Sequence, residues 1–403
     1  MDTADRIRIS VVIMHHPARR DRIPALLEAC SPLTPRVIND PRPAGPPSPL
    51  RTAKLAWAAI ADDATHHVVL QDDVIPIRGF AQHLTRAIAS RPRHAITLCV
   101  HWKSPQNSYY VRRAAAAGAP WALLSRTEWT PTLGLVLPIA DARELSAYLS
   151  RLPDELVDDD CNVTPFCNER GLTVLATVPH LLEHGDGPSL SGYDCEGDRY
   201  ATVFDPRWEI PDDHWSGSPC ATAPVPDAIA PHAIPEFVIQ LRDSRCLIRF
   251  LRPNTDEPVE HPFGWYWHDW CPLIGIDRER LISGWEDYLR MRSGADDQPF
   301  NAILGDGLLD VAIELWAAGY LLGADPGSAR TVTGPGNGSR STMAIIFQKT
   351  VELWIASGLS AKHRAIMGTR ARSALVELCL SAVERGRIAS VMSERFECEN
   401  LDV

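Results

Sequence analysis

No CxxC pair occurs anywhere in the chain, although it holds 10 cysteines in 403 residues. Without paired spacing there is neither a zinc-ribbon signature nor the framework of a disulfide-stapled domain. Isolated cysteines of this kind are expected as small buried hydrophobes. A basic excess is also missing: 40 Lys and Arg face 51 Asp and Glu, a net charge of -11. Nucleic-acid binders displace counterions with clustered cations, so no nucleic-acid partner is expected, while a local basic pocket for a diphosphate stays open. Long apolar runs are absent too. The most apolar C-terminal stretch, residues 343–356, is broken by Gln348, Lys349 and Glu352. It is too short to span a bilayer and is expected as a buried helix, with no membrane span. The opening residues show no basic segment followed by an apolar core, so no secretory leader is expected and the cytoplasm is the expected location.

What is present fits a globular protein. Hydrophobic residues make up 45% and charged residues 23%, an ordinary balance, and the length exceeds one typical domain. The first half alternates strand and helix signals. Residues 7–13 (IRISVVI) form a β-branched run suited to a strand covered on both faces. A helix over 21–30 is predicted with Asp21 as its N-cap. A short strand over 36–39, a helix over 50–62, a strand over 67–70, a helix over 79–90 and a strand over 95–100 follow. Strands joined by helical crossovers predict an α/β fold with a mainly parallel sheet, in which ligands lie beyond the carboxyl ends of the strands. Asp40, Asp72 and Asp73 all fall at such ends.

Further on, a strand is predicted over 132–137, a helix over 141–150, a second helix opening at Asp158-Asp159-Asp160, and a strand over 172–178. Residues 197–234 are rich in Pro, Asp, Ser and Ala and are expected as a linker. The expected organisation is therefore a first domain over 1–196, the linker, and a mixed, mostly helical domain over 235–403. The last of these carries the aromatic cluster PFGWYWHDW at 262–270, suited either to stacking on an acceptor or to a hydrophobic core.

Adjacent carboxylates directly after an apolar strand are held rigidly yet exposed, which suits a divalent cation that neutralises a leaving diphosphate. A helix-capping pair or a solvated turn is the plain alternative. The stretches VVIMHHPARR, RVIND, LRTAKLAW, HHVVLQDDVIP, ELVDDDCNVTPFCNERGL and TVPHLLEHGDGPSL together resemble bacterial glycosyltransferases of the GT-A fold, broadly family-2-like, over residues 7–192. The resemblance implies a Rossmann-like first domain and a hexosyltransferase-like enzyme, with a nucleoside diphosphate sugar as donor, an unidentified acceptor and Mn2+ or Mg2+ as cofactor. It implies that Asp40 contacts base or ribose, that Asp72 contacts ribose or metal, and that Asp73 binds the metal. Gln71 stands where a strict DxD motif has its first Asp.

By the same resemblance, the Asp158–Asp160 triplet occupies the place where such enzymes carry an acidic pair beside the acceptor. Three like charges push at least one pKa upward, as a general base requires, so Asp159 or Asp160 is the expected catalytic base. Simple helix capping competes. His184 is expected as a metal or diphosphate ligand, or else as a turn histidine. Arg19, together with Arg20 and Arg22, follows the first strand and is expected either to meet the diphosphate or to be a solvated arginine at a helix start. A weaker echo of an acceptor half around Gly305-Asp306 makes the second domain an acceptor module or degenerate repeat and Asp306 a rival catalytic residue. A nucleotidyltransferase is the alternative enzyme class, although VVIMHHPARR lacks the glycine of a phosphate loop. A non-catalytic sugar- or partner-binding protein that keeps the fold is the other alternative.

Overall fold

The computed structural model describes residues 7–154, 156–190, 198–220, 236–252, 257–292, 298–305, 307–325 and 337–399. The chain divides into two compact units. The first comprises Met1–Val111, Pro120–Pro219 and Pro335–Thr342, and the second comprises Arg112–Ala119, Cys220–Gly334 and Met343–Val403.

The first unit is an α/β domain around a seven-stranded sheet. Its strands are β1 (Ile9–His15), β2 (Arg36–Asn39), β3 (His66–Gln71), β5 (Ala95–Thr97), β6 (Trp121–Leu123), β7 (Gly134–Pro138) and β8 (Val174–Thr177), in the order β2-β1-β3-β7-β5-β8-β6. β1 pairs in parallel with β2 and β3, and β5 with β8, whereas β7 runs antiparallel to β3 and β5 and β6 antiparallel to β8. Five strands therefore point one way. A separate two-stranded sheet joins β4 (Val74–Pro76) to β9 (Leu182–His184). The continuous apolar run of β1 is buried along nearly its whole length, as expected of a strand covered on both faces.

Local chemistry sets the helices. In α2 (Pro49–Ala58) the Ser48 hydroxyl accepts from the Arg51 amide at 3.3 Å and Pro49 occupies the first turn, the combination that starts a helix most economically. Gly79 adopts a left-handed conformation (φ 71°) to launch α3 (Phe80–Ser90), whose Phe80, Leu84, Ala87 and Ile88 bury one face in the core.

The structure differs from the sequence expectations at several points. Asp21 caps nothing: residues 17–22 form a 3-10 turn capped by His16, and α1 (Ile23–Ala29) follows. β3 extends through Gln71, which pairs with Met14. α4 (Asn107–Ala117) and β6 had no predicted counterpart. Residues 198–219, expected as the start of a linker, belong to the first unit, where Ala201, Phe204, Ile210 and Trp215 join the core and the Trp121 indole donates to Trp215 O at 3.0 Å. Proline-rich composition had masked those apolar anchors. Residues 197 and 221–234 of that stretch lie outside the described residues.

The second unit is mostly helical, with one hairpin. β10 (Glu236–Arg242) and β11 (Arg245–Leu251) meet at Asp243 and Ser244, both at positive φ (51° and 64°), the backbone of a two-residue turn that follows strand twist. Glu314, buried at the centre, accepts from Arg245, from the Cys246 amide at 2.8 Å and from the Trp267 indole at 3.1 Å. No helix among the described residues is long and apolar enough to cross a membrane.

Helices Leu309–Ala324 and Thr369–Glu399 pack at close range because Gly319, Gly323 and Gly386 bring backbone against backbone. A Cβ on Gly386 would run into the Tyr320 carbonyl and lie 2.8 Å from the Ala324 amide. Gly386→Ala is predicted to cost about 1–3 kcal/mol by forcing the helices apart. Gly305→Ala, where a Cβ meets nothing within 4 Å, should leave stability unchanged or slightly higher. Urea denaturation followed by tryptophan fluorescence checks both, and equal midpoints for the two variants would refute the close-approach account.

Candidate functional site

The C-terminal ends of β1, β2 and β3 converge on one edge of the sheet. β1 delivers His15 and His16, β2 delivers Asp40, and β3 delivers Gln71 and then Asp72-Asp73, which lie between β3 and β4. A cavity of about 290 Å³ opens there, walled by those strand ends, by the proline-rich loop before α2, and by Arg19, Ser189 and Arg199. Ligands of parallel sheets bind at such an edge because the strand ends and the loops that follow them can diverge there.

Asp72 and Asp73 are both almost fully buried. Asp72 Oδ2 accepts from His15 Nδ1 at 3.0 Å and from the His16 amide at 2.7 Å, and its Oδ1 accepts from Arg19 Nη1 at 3.1 Å. The same Arg19 nitrogen lies 2.8 Å from Asp73 Oδ2, while Arg19 Nη2 donates to Pro188 O at 3.2 Å. One guanidinium therefore bridges the acidic pair. His184 Nε2 stands 3.5 Å from Asp73 Oδ2, held there because Val74 of β4 pairs with His184 of β9. The Gly185 amide donates to Asp73 O at 2.6 Å, and a Cβ on Gly185 would lie 2.7 Å from that oxygen. Burial pushes the His184 pKa down, opposed by Asp73 and reinforced by Arg199 and Arg19, so the imidazole favours its neutral form.

One atom at this site is left over. Asp73 Oδ1 is buried and has no hydrogen-bond partner. A buried carboxylate oxygen without a donor is costly, and Asp73 is one of the residues lining the cavity, which makes it a candidate cation ligand. Asp73 with a neutral His184 is a chemically suitable pair for Mn2+ or Mg2+, which take one or two protein ligands and complete their shell with water and phosphate. Among the described residues no group of three or more His, Cys, Asp or Glu side chains converges as a ready cage. Asp72 itself already uses both oxygens, on His15, the His16 amide and Arg19.

Asp40 also lines the cavity, but Arg51 grips it from α2 in a two-pronged contact, Nε to Oδ1 and Nη2 to Oδ2, both at 2.9 Å. The Arg42 amide adds a third bond to Oδ1 at 3.0 Å. Burial raises the Asp40 pKa, yet the Arg51 and Arg42 hydrogen bonds outweigh it and the net shift is downward. His16 Nδ1 accepts from the Ala18 amide, so its Nε2 carries the proton and donates to Pro43 O at 3.1 Å, fixing the proline-rich loop. The sequence reading missed His15, His16, Arg51 and Arg199. Nothing in periodicity or spacing singles them out: His15 meets Asp72 from 57 residues away, and Arg51 meets Asp40 only because α2 folds back over the proline-rich loop.

Asp159 and Asp160 are not among the residues lining the cavity. They open α6 (Asp160–Glu169), beside Thr132. Three links run from these segments toward the cavity: the Leu50 amide donates to Val157 O at 3.1 Å, the Ser48 hydroxyl to Leu156 O at 3.5 Å, and the Gln71 amide to Leu133 O at 3.0 Å. The Asp159 side chain makes no capping bond, whereas Asp160 Oδ1 accepts from the Cys161 amide at 2.6 Å. Burial and the neighbouring Asp160 push Asp159 up to about 7, against a hydrogen bond from Thr132. Burial raises Asp160 as well. Asp306 lies outside the described residues. No protein-family model and no curated protein matches the chain.

The raised Asp159 pKa carries a stability consequence. An unfolded Asp titrates near about 3.9, so between that value and the folded one the native state holds a proton that the unfolded chain does not. Stability contributed by this group therefore falls as pH rises through the window and stays low above it. Asp159→Asn, which cannot ionise, should gain stability relative to wild type as pH rises from about 5 to 8. Urea midpoints of both proteins at the two pH values check this, and a pH-independent difference would contradict it.

Proposed function

We propose that the chain is a metal-dependent glycosyltransferase of GT-A type whose first domain moves a sugar from a nucleoside diphosphate sugar to an acceptor. The observation that carries this reading is the buried Asp73, whose Oδ1 has no hydrogen-bond partner and whose Oδ2 lies 3.5 Å from a neutral His184, in the lining of a strand-end cavity that also holds Asp40, Asp72, Arg19 and Arg199. A cavity that combines a vacant carboxylate oxygen with guanidinium groups suits a ligand bearing both a divalent cation and phosphates.

In this reading Asp73 and His184 hold Mn2+ or Mg2+, which when bound neutralises charge on the leaving diphosphate. Arg19 and Arg199 face the phosphates. Asp40 keeps one free lone pair on Oδ2 for a ribose hydroxyl or a base N–H, and Arg51 keeps it ionised and oriented. In the transfer, the bond from the sugar anomeric carbon to the diphosphate oxygen breaks and a bond to the acceptor oxygen forms. The acceptor hydroxyl gives its proton to a carboxylate, for which Asp159 and Asp160 are the candidates if the reaction inverts. Asp159, pushed up to about 7, suits a base that must hold a proton near neutrality, and burial shifts Asp160 in the same direction. A second reading, a nucleotide-sugar-binding protein without turnover, is favoured by one observation: neither aspartate lines the cavity.

Two measurements test the proposal. In a thermal-shift screen, one of the uridine, guanosine, cytidine or adenosine diphosphates should stabilise the protein more with Mn2+ than with EDTA, since ligand binding raises stability with occupancy. Asp73→Asn should abolish the metal-dependent increment. No stabilisation by any of the four would remove the donor-site assignment. For turnover, Asp159→Asn or Asp160→Asn should lower the rate about a hundredfold to ten-thousandfold with donor affinity intact. Binding without turnover in the wild-type chain, across sugar donors and acceptors, would favour the second reading.

A further inference from the structure

We infer that Arg19 is an exchangeable counter-ion, bridging Asp72 and Asp73 in the free protein and passing to the diphosphate when donor and metal bind. The inference rests on the donor-site reading above and adds a coupling that the reading does not require.

Two adjacent buried carboxylates repel one another, and a cation placed between them offsets that repulsion. Arg19 Nη1 supplies it, at 3.1 Å from Asp72 Oδ1 and 2.8 Å from Asp73 Oδ2. The two aspartates differ in what else holds them. Asp72 retains His15 and the His16 amide if the guanidinium leaves. For Asp73 Oδ2, by contrast, the remaining side-chain neighbour is His184 at 3.5 Å, beyond a good hydrogen bond, and Oδ1 has no partner at all. Removal of Arg19 therefore leaves Asp73 as the under-compensated anion, and that is the residue assigned to the metal.

The Arg19 side chain is 16% exposed, on the solvent side of the acidic pair, whose side chains are 4% exposed. Its head is tied otherwise by one bond, to Pro188 O, in the stretch whose Ser189 and Leu190 line the cavity. It stands on a short 3-10 turn, at the end of a long flexible side chain, and its guanidinium reaches the cavity wall. A divalent cation entering alone would compete with this guanidinium for Asp73 and repel it. A diphosphate offers the guanidinium a bidentate alternative of comparable strength, which frees Asp73. Arg19 thus makes the metal site poor before the nucleotide arrives and better afterwards. Couplings of this kind commonly amount to about 5- to 150-fold in affinity, and they act equally in both directions.

Isothermal titration of the full-length chain with Mn2+ alone, and with each of the four nucleoside diphosphates in EDTA, tests the exchange. Arg19→Gln should bind Mn2+ alone at least about tenfold more tightly than wild type and bind the nucleotide in EDTA at least about tenfold more weakly. Arg19→Lys keeps the charge without the fork, guards against loss of fold, and should fall between the two for both ligands. Unchanged or weaker Mn2+ binding by Arg19→Gln, or by Arg19→Lys if the first variant does not fold, overturns the exchange. If that happens while wild type still binds nucleotide with Mn2+, the donor-site reading stands. If no nucleotide binds with or without Mn2+, both fall.

Discussion

The charge compensation between Arg19 and the buried pair Asp72-Asp73 is the contact on which the site depends. Three chain segments meet there: the turn after β1, the end of β3, and the loop before Pro188. Burying two carboxylates side by side is tolerable only with a cation in reach and hydrogen bonds on the remaining lone pairs. Asp72 meets both conditions through His15, the His16 amide and Arg19. Asp73 meets the first and leaves Oδ1 bare, which makes it the place where a ligand has most to offer.

A second ion pair does comparable work one strand away. Arg51 fixes Asp40 through two parallel bonds, and the loop between them is pinned by His16 to Pro43. The cavity wall is therefore built from polar contacts laid over a well-packed apolar base. Below it, β1 and β3 contribute Val11, Ile13, Val68 and Leu70 to the core, and α3 closes one face with Phe80 and Leu84. Rigid packing under the strand ends holds the carboxylates in place, since the strands cannot shift without opening voids in a close-packed interior.

The second unit solves its burial problem differently. Glu314 gathers Arg245, the Cys246 amide and the Trp267 indole, so all its acceptor capacity points at protein donors. That network is internally satisfied and behaves as structure. The tryptophans of the 262–270 cluster fit the same account: Trp267 is buried on Glu314, and the Trp265 indole donates to Val259 O at 2.7 Å.

Much of the first unit was legible in the sequence. β2 over Arg36–Asn39 and the apolar runs of β1 and β3 follow from β-branched periodicity, and strand-end placement brought Asp40, Asp72 and Asp73 to one edge. Those features are local, set by side-chain size and spacing within a few residues. Packing across the sheet placed β7 antiparallel between β3 and β5, and it drew residues 198–219 into the core despite their linker-like composition. Tertiary structure alone also decided the partners: Arg19 rather than a bare cage for the acidic pair, Arg51 for Asp40, and Thr132 beside Asp159. The physical reason is range. Propensity and alternation act between neighbours in the chain, whereas the partners of a buried carboxylate lie beyond that range, 11 residues away for Arg51 and Asp40 and more than 50 for Asp72 with His15 and Arg19, and only folding brings them within about 3 Å.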